Sequence, residues 1–260
     1  MFNFSDVYIQ SWLWWTMIGV IVFGVVVVVV LLHIRHRRVA KSTQIGSNST
    51  ATMSSNMDIV DNINKIKVAF GARDIVFGAI ALSISFVLWI FPVFRLPFGA
   101  HVTLASPLPM LLYGYFFGLK KALVVALGHM LLTLMYFPYI VSPWSAVLDY
   151  VVPSLSMAAA GLVDFRPKGD KLTGLRTHNK FYIGLMICFV VRLASHTWAG
   201  IVFWSKDIDF AIWSGDLVGF DALMYSLVYN LAYLVPETIL VIVASVMVFN
   251  SSQLVKTIVR

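Results

Sequence analysis

Cysteine, charge and phosphate-cradling loops are all scarce or missing in this chain of 260 residues. Cys188 stands alone, which excludes an internal disulfide and any cysteine-based zinc site. Charged residues make up 12%, about half of what soluble domains carry, while hydrophobic residues reach 60% and mean hydropathy is +0.86. That balance excludes an ordinary soluble domain and predicts an all-α integral membrane protein with room for about seven spans. No Gly-x-x-x-x-Gly-Lys-Ser/Thr run occurs, so the chain cannot hydrolyse ATP through a P-loop. Accumulating a scarce solute would therefore need a partner or an ion gradient. Neither a Glu-x-x-His pair nor His residues at ligand spacing accompany the polar positions singled out below, so neither a metal nor a cofactor is expected.

What is present is organised in three parts. Residues 12–32 form an apolar span with Trp12, Trp14 and Trp15 at one edge, where indoles favour the headgroup level. Arg35, Arg37, Arg38 and Lys41 follow this span, the reverse of a secretory signal, so residues 1–41 read as an uncleaved anchor with its N-terminus outside. Residues 42–68, rich in Ser, Thr, Asn and Met, read as a flexible cytoplasmic linker. Residues 69–260 read as a six-helix domain, with helices expected at about 69–91, 104–118, 121–137, 145–163, 181–204 and 221–248. This arrangement puts sixteen of the nineteen Lys and Arg side chains inside, against Arg95 and Lys206 outside, with Arg192 in the membrane. The positive-inside rule then predicts a multi-pass protein of the cell membrane with a cytoplasmic C-terminus. The net charge of +7 reflects that topology and contact with anionic membrane lipid, and it does not call for nucleic acid.

Polar residues inside the spans carry the functional signal, because charge at membrane depth is costly unless paired or hydrated. Arg192, His196, Gly200 and Trp204 step by four and so share one helix face. Asp149 and Tyr150 near the start of the fourth core helix, and Tyr225 and Asn230 near the start of the sixth, fall at the same outer depth. Together they suit a small, flat, polar heterocycle: Trp204 to stack, Asp149 to hold a cation or accept from an amine, Tyr225 and Asn230 to read polar edges. Arg192 and Glu237 lie deeper and read as a buried ion pair, with Pro236 expected to kink its helix. His129 reads as a satisfied core histidine. Ala81 and Ser85, four apart, offer a small-residue face for internal packing or for a docking partner.

Three pieces then fall in order: Leu148-Asp149-Tyr150; Val191-Arg192…His196…Gly200…Phe203-Trp204; and Tyr225-Ser-Leu-Val-Tyr-Asn230 followed by Pro236-Glu237. Over about 70–250 the chain resembles the substrate-binding S-components of energy-coupling-factor (ECF) transporters, most closely the thiamine-specific type. The resemblance implies a six-helix S-component-like bundle, here with one additional N-terminal helix, that captures thiamine from outside. Its partners would be a transmembrane coupling subunit and two cytoplasmic ATPases. It further implies a substrate site of Asp149, Tyr150, His196, Gly200, Trp204, Tyr225 and Asn230, a gating loop at Arg95–Thr103, and coupling-subunit docking at Ala81 and Ser85. The family usually carries Glu where this chain has Asp149 and Lys where it has Arg192, which keeps thiamine phosphates, another small vitamin and other pyrimidine compounds open as ligands. No enzymatic activity is expected; the rival is a membrane-embedded enzyme using Asp149 and His196 as an acid–base pair.

Overall fold

In the computed structural model, the residues described are 70–136, 139–163 and 178–259. The chain divides into two units, Met1–Ala69 and Phe70–Arg260, and everything below concerns the second. The expected anchor (1–41), linker (42–68) and most of the basic loop at 166–180 lie outside the described residues.

Seven helices are described. Helix α1 (Ala72–Ile90) begins at Gly71, whose amide donates to Asp74 Oδ2 at 2.9 Å; an acid in the first turn suits the positive end of the helix. Its buried face is made of Gly78, Ala81 and Ser85, while Ile75, Val76, Ile80, Ile84 and Val87 point outward. Small residues inside and large ones outside are what helix packing in lipid requires, since lipid gives no hydrophobic drive for helices to meet. A short hairpin (β1, Phe94–Arg95, with β2, His101–Val102) and a 3-10 turn at Pro97–Gly99 lead to α2 (Pro107–Phe117). Gly118, at φ 89°, lets α3 (Leu119–Met135) start one residue after α2 ends; a side chain would strain that reversal.

Helix α4 spans Pro143–Leu162 but changes pitch along its length. It opens with an α turn capped by Ser142, passes through π turns at Val147–Val151, returns to α at Val152–Ser156 and ends as 3-10. Pro153 supplies the reason: it has no N–H to give and crowds the carbonyl four residues back, which belongs to Asp149. Helices α5 (Asn179–Phe203) and α6 (Gly219–Asn250) are the long members, with a β3–β4 hairpin (Ile208–Phe210, Trp213–Gly215) between them. Helix α7 (Ser252–Val259) follows at once.

Four of these, α1, α4, α5 and α6, are long and apolar enough to cross a membrane. Helix α2, with 11 residues, is shorter than a full span requires, and α3, with 17, reaches only the lower end of that range. The fold is predominantly helical, as expected from composition. Two details differ from expectation: the loop after α5 carries a hairpin, and α7 was not foreseen because its apolar face is only two turns long. Helix α6 runs to Asn250 with Pro236 inside it, close to the expected 221–248.

A polar chain crosses the middle of the bundle. Arg192 Nη1 donates to Glu237 Oε2 at 2.5 Å, with Glu237 only 2% exposed. The Thr103 hydroxyl donates to Glu237 Oε1 and also meets the Ser106 hydroxyl at 2.9 Å. The Ser106 carbonyl accepts from Ser85 Oγ at 2.7 Å. Ser85 is thus fully buried and faces α2, so of the two uses open to the small-residue face, this residue serves internal packing. His129 departs from expectation too. It is 1% exposed and edge-on to Phe86, and neither ring nitrogen has a hydrogen-bond partner among the described residues.

Removing one partner of the buried pair leaves the other charge uncompensated. Glu237→Ala should therefore destabilise the protein by about 3–5 kcal/mol, whereas Glu237→Ala with Arg192→Met should recover most of the loss. Thermal unfolding in detergent checks this, and equal losses in the single and double variants would contradict it.

Candidate functional site

The start of α4, the end of α5 and the start of α6 meet at one end of the bundle. Local structure places each side chain there. Ser195 Oγ on α5 donates to the Leu148 carbonyl at 2.6 Å, pinning α5 to the π-turn segment of α4. The next residue on each element, His196 and Asp149, then meet: Nδ1 of His196 lies 3.3 Å from Oδ1 of Asp149. Two turns on, just past the end of α5, Trp204 Nε1 donates to Asp149 Oδ2 at 3.1 Å. One carboxylate therefore holds an imidazole and an indole, each on its own oxygen. The Asp149 and His196 side chains are 19% and 16% exposed, so both stay reachable. A carboxylate offers about four lone-pair directions, so Asp149 keeps acceptor capacity for a ligand.

Gly200 fixes the approach of α6. A Cβ there would overlap the Ser226 hydroxyl and crowd Ser226 Cβ, so only glycine lets the two backbones come this close. Ser226 Oγ donates to the Thr197 carbonyl at 2.8 Å and locks the crossing. Asn230 sits one turn on, 5% exposed, but does not point its amide into open space. Its Nδ2 donates to the Ser226 carbonyl at 2.7 Å, and its Oδ1 accepts from the Tyr233 hydroxyl at 2.8 Å. The sequence reading gave Asn230 a ligand edge to recognise; here it orients Tyr233, whose ring lies 6.1 Å from that of His196.

Tyr225 joins through aromatic contacts, 6.1 Å from Trp213 of the β3–β4 hairpin and 5.8 Å from Tyr229. Tyr229 continues to Tyr233 at 6.3 Å, giving a ladder of three phenols along α6. The Tyr150 hydroxyl accepts from the Tyr139 amide at 2.9 Å and stands apart from the carboxylate chemistry. It holds Tyr139, whose ring lies 5.1 Å from Trp204 at an interplanar angle of 31°. Tyr139, Tyr229 and Tyr233 were not picked out from the sequence, although 225, 229 and 233 carry the same four-residue step that marked 192–204.

The Pro97–Gly99 loop is tied to this end. The Tyr229 hydroxyl accepts from the Ala100 amide at 3.2 Å and donates to the Pro97 carbonyl. Phe98, at φ 63° and 58% exposed, lies 6.4 Å from the Tyr229 ring. A bulky residue in the left-handed region costs on the order of 1–3 kcal/mol, so those tethers hold a strained turn in place. Nearby, His101 packs against Trp89 at 5.6 Å, and its removal from water lowers the imidazole below its ordinary value and favours the neutral form.

The larger cavity described, about 660 Å³, is elsewhere: an apolar groove bordered by α1, α2, α6 and α7. Its lining is apolar apart from Tyr113 and Thr257 and carries no charged side chain, so chemistry favours Asp149 as the candidate site. A space of about 10 Å³ beside Arg192 and Glu237 is roughly the size of one water. Among the described residues no three His, Cys, Asp or Glu side chains are grouped to hold a metal.

Comparison with known proteins adds two findings. The family described as thiamine transporter protein matches residues 75–256, more than two thirds of the chain. A solved structure of ThiT from Listeria monocytogenes is similar in fold, with a TM-score of 0.54 and 20% identity, covering 70% of this chain and 96% of that one. No curated protein sequence matches.

The Gly200 contact yields a direct test. Gly200→Ala should drive α6 away from α5, costing about 1–3 kcal/mol as overpacking. Adding Ser226→Gly should restore most of that stability by removing the obstructing atoms. Thermal unfolding of both variants checks it, and an unperturbed single variant would contradict the close approach.

Proposed function

We propose, from the premise that the chain belongs to the thiamine transporter protein family, that it is the thiamine-binding S-component of an ECF-type transporter and binds thiamine at Asp149. The observation that carries the site is the Asp149 carboxylate, bridging His196 and Trp204 where three helices converge. In this reading Asp149 accepts from the pyrimidine amine or balances the thiazolium charge, and Trp204 with Tyr139 offers aromatic faces to the rings. Tyr225 contributes at the rim, while Tyr150, Gly200 and Asn230 act through what they position: Tyr139, the helix crossing and Tyr233. The family is one of transporters, so the chain is not an enzyme, and the acid–base use of Asp149 and His196 falls away.

The finer architecture belongs to the same proposal. Helices α1–α6 form the six-helix S-component bundle, with residues 1–41 as an additional anchor and 42–68 as a linker. The site opens to the outside and the C-terminus lies in the cytoplasm, in line with the distribution of Lys and Arg. The loop at Arg95–Thr103 gates the site, and its attachment to Tyr229 favours this role. A transmembrane coupling subunit and two cytoplasmic ATPases supply the energy that this chain has no P-loop to provide. The coupling subunit docks on the α1 side, at the groove that Ala81 borders. Asp149 is one methylene shorter than the usual Glu, which favours a second ligand class, thiamine phosphates or a pyrimidine fragment, to be tested alongside thiamine.

Purified protein should bind one equivalent of thiamine and show quenched tryptophan fluorescence, with the quench lost in Trp204→Ala. Asp149→Asn should weaken binding about 10- to 100-fold, the worth of one hydrogen bond to a charged group. Absence of both quench and heat of binding with thiamine, its phosphates and its pyrimidine fragment would overturn the assignment. Tyr229→Phe should speed ligand release severalfold by freeing Pro97, and an unchanged rate in stopped-flow would remove Tyr229 from the gate.

A further inference from the structure

The loop at Arg95–Thr103 returns to the bundle through a strained turn. Ala105 has φ 57°, in the left-handed region where Cβ crowds the following carbonyl, and it is buried. With Phe98 at φ 63°, the loop has one such residue at its tip and another at its base. A buried alanine holds that conformation only where its surroundings enforce it.

The enforcement comes from one hydroxyl. The Ala105 amide donates to the Thr103 carbonyl at 2.9 Å, and its carbonyl accepts from the Leu108 amide at 3.0 Å. The Thr103 hydroxyl accepts from the Ser106 amide at 3.2 Å, meets the Ser106 hydroxyl at 2.9 Å and donates to Glu237 Oε1. Thr103, Ser106 and Glu237 are all buried, so a broken bond to Glu237 leaves a carboxylate oxygen without a partner and away from water. Arg192 takes the other oxygen and steadies the carboxylate without competing for Oε1. One residue earlier, Val102 is buried against Tyr233 and Leu234, which seats the return strand β2 on α6.

A strained turn closed by a single hydroxyl-to-carboxylate bond acts as a latch. While the bond is made, the loop is fixed at its base; once it breaks, relaxation of Ala105 favours the open arrangement. We propose that Thr103 is the positioning residue that latches the gate, through Glu237, with Ala105 as its hinge. This rests on the reading of Arg95–Thr103 as the gate of the Asp149 site, and it adds the bond that decides how long the gate stays closed. Tyr229 holds the tip from a point about 12 Å along α6 from Glu237, so the two tethers can be tested separately.

Hydrogen–deuterium exchange of the ligand-free full chain in detergent reads loop opening with no ligand involved. Thr103→Val keeps the side-chain shape and removes the hydroxyl. Exchange across residues 94–102 should then rise about tenfold or more, the effect of losing one hydrogen bond to a charged group, while exchange in α5 stays unchanged. Thr103→Ser keeps the hydroxyl and should exchange like the wild type. Ala105→Gly removes the crowding at the hinge and should exchange at or below the wild-type rate. In stopped-flow with thiamine, Thr103→Val should raise association and dissociation rates together, so that affinity changes less than either rate. Unchanged loop exchange in Thr103→Val, an equal rise in α5, or faster exchange in Ala105→Gly would overturn the latch. Faster loop exchange with unchanged thiamine rates would overturn the gate that the latch serves. A wild type that binds no thiamine would count against the proposed ligand alone, since the exchange measurement still decides the latch.

Discussion

A carboxylate near the lipid phase has to be compensated, and in this protein the compensation of Asp149 organises one whole end of the bundle. Its two oxygens are matched by His196 of α5 and by Trp204 just past the end of that helix, two turns apart. Meeting both needs α4 to be offset locally, which the π turns before Pro153 provide, and needs α5 held to that segment, which Ser195 provides. Gly200 then brings α6 against the same stretch of α5, so that Tyr233 reaches His196. The site is thus a consequence of paying one electrostatic cost with three helices.

The same constraint acts a turn deeper and gives a different result. Arg192 and Glu237 neutralise one another, and the remaining carboxylate oxygen of Glu237 is taken by Thr103 at the foot of the loop. The loop is therefore attached to α6 twice, at Glu237 below and at Tyr229 above, two turns of helix apart. Between those two points it lies across the aromatic ladder. Changes at the ladder and changes in the loop are mechanically linked through α6, which is a useful property for a subunit that must enclose a solute. The apolar groove lies outside this polar system.

Much of this was legible in the sequence. The four-residue step from Arg192 to Trp204 marks one helix face, and Asp149 meets it at His196 and Trp204, whereas Tyr225 meets Trp213 and Tyr229. What spacing could not give was direction. Asn230 has the depth of a ligand contact, yet its amide turns back to Ser226 and Tyr233. Tyr229 and Tyr233 were overlooked because an aromatic residue in an apolar helix reads equally well as lipid-facing. The π turns had a signal, Pro153 four residues after Asp149, but its effect on pitch depends on how neighbouring helices fill the space. His129 differs for the opposite reason: composition says a buried histidine finds a partner, yet this ring sits against Phe86 with no hydrogen-bond partner among the described residues. Helix α7 was missed because eight residues carry too few apolar positions to stand out.

Mass spectrometric identification of the small molecule that remains with the detergent-purified protein tests the central claim most directly. The account predicts thiamine at one equivalent per chain. Recovery of a compound without a pyrimidine amine or a cationic ring, or an empty protein that stays empty when thiamine is supplied, would contradict it.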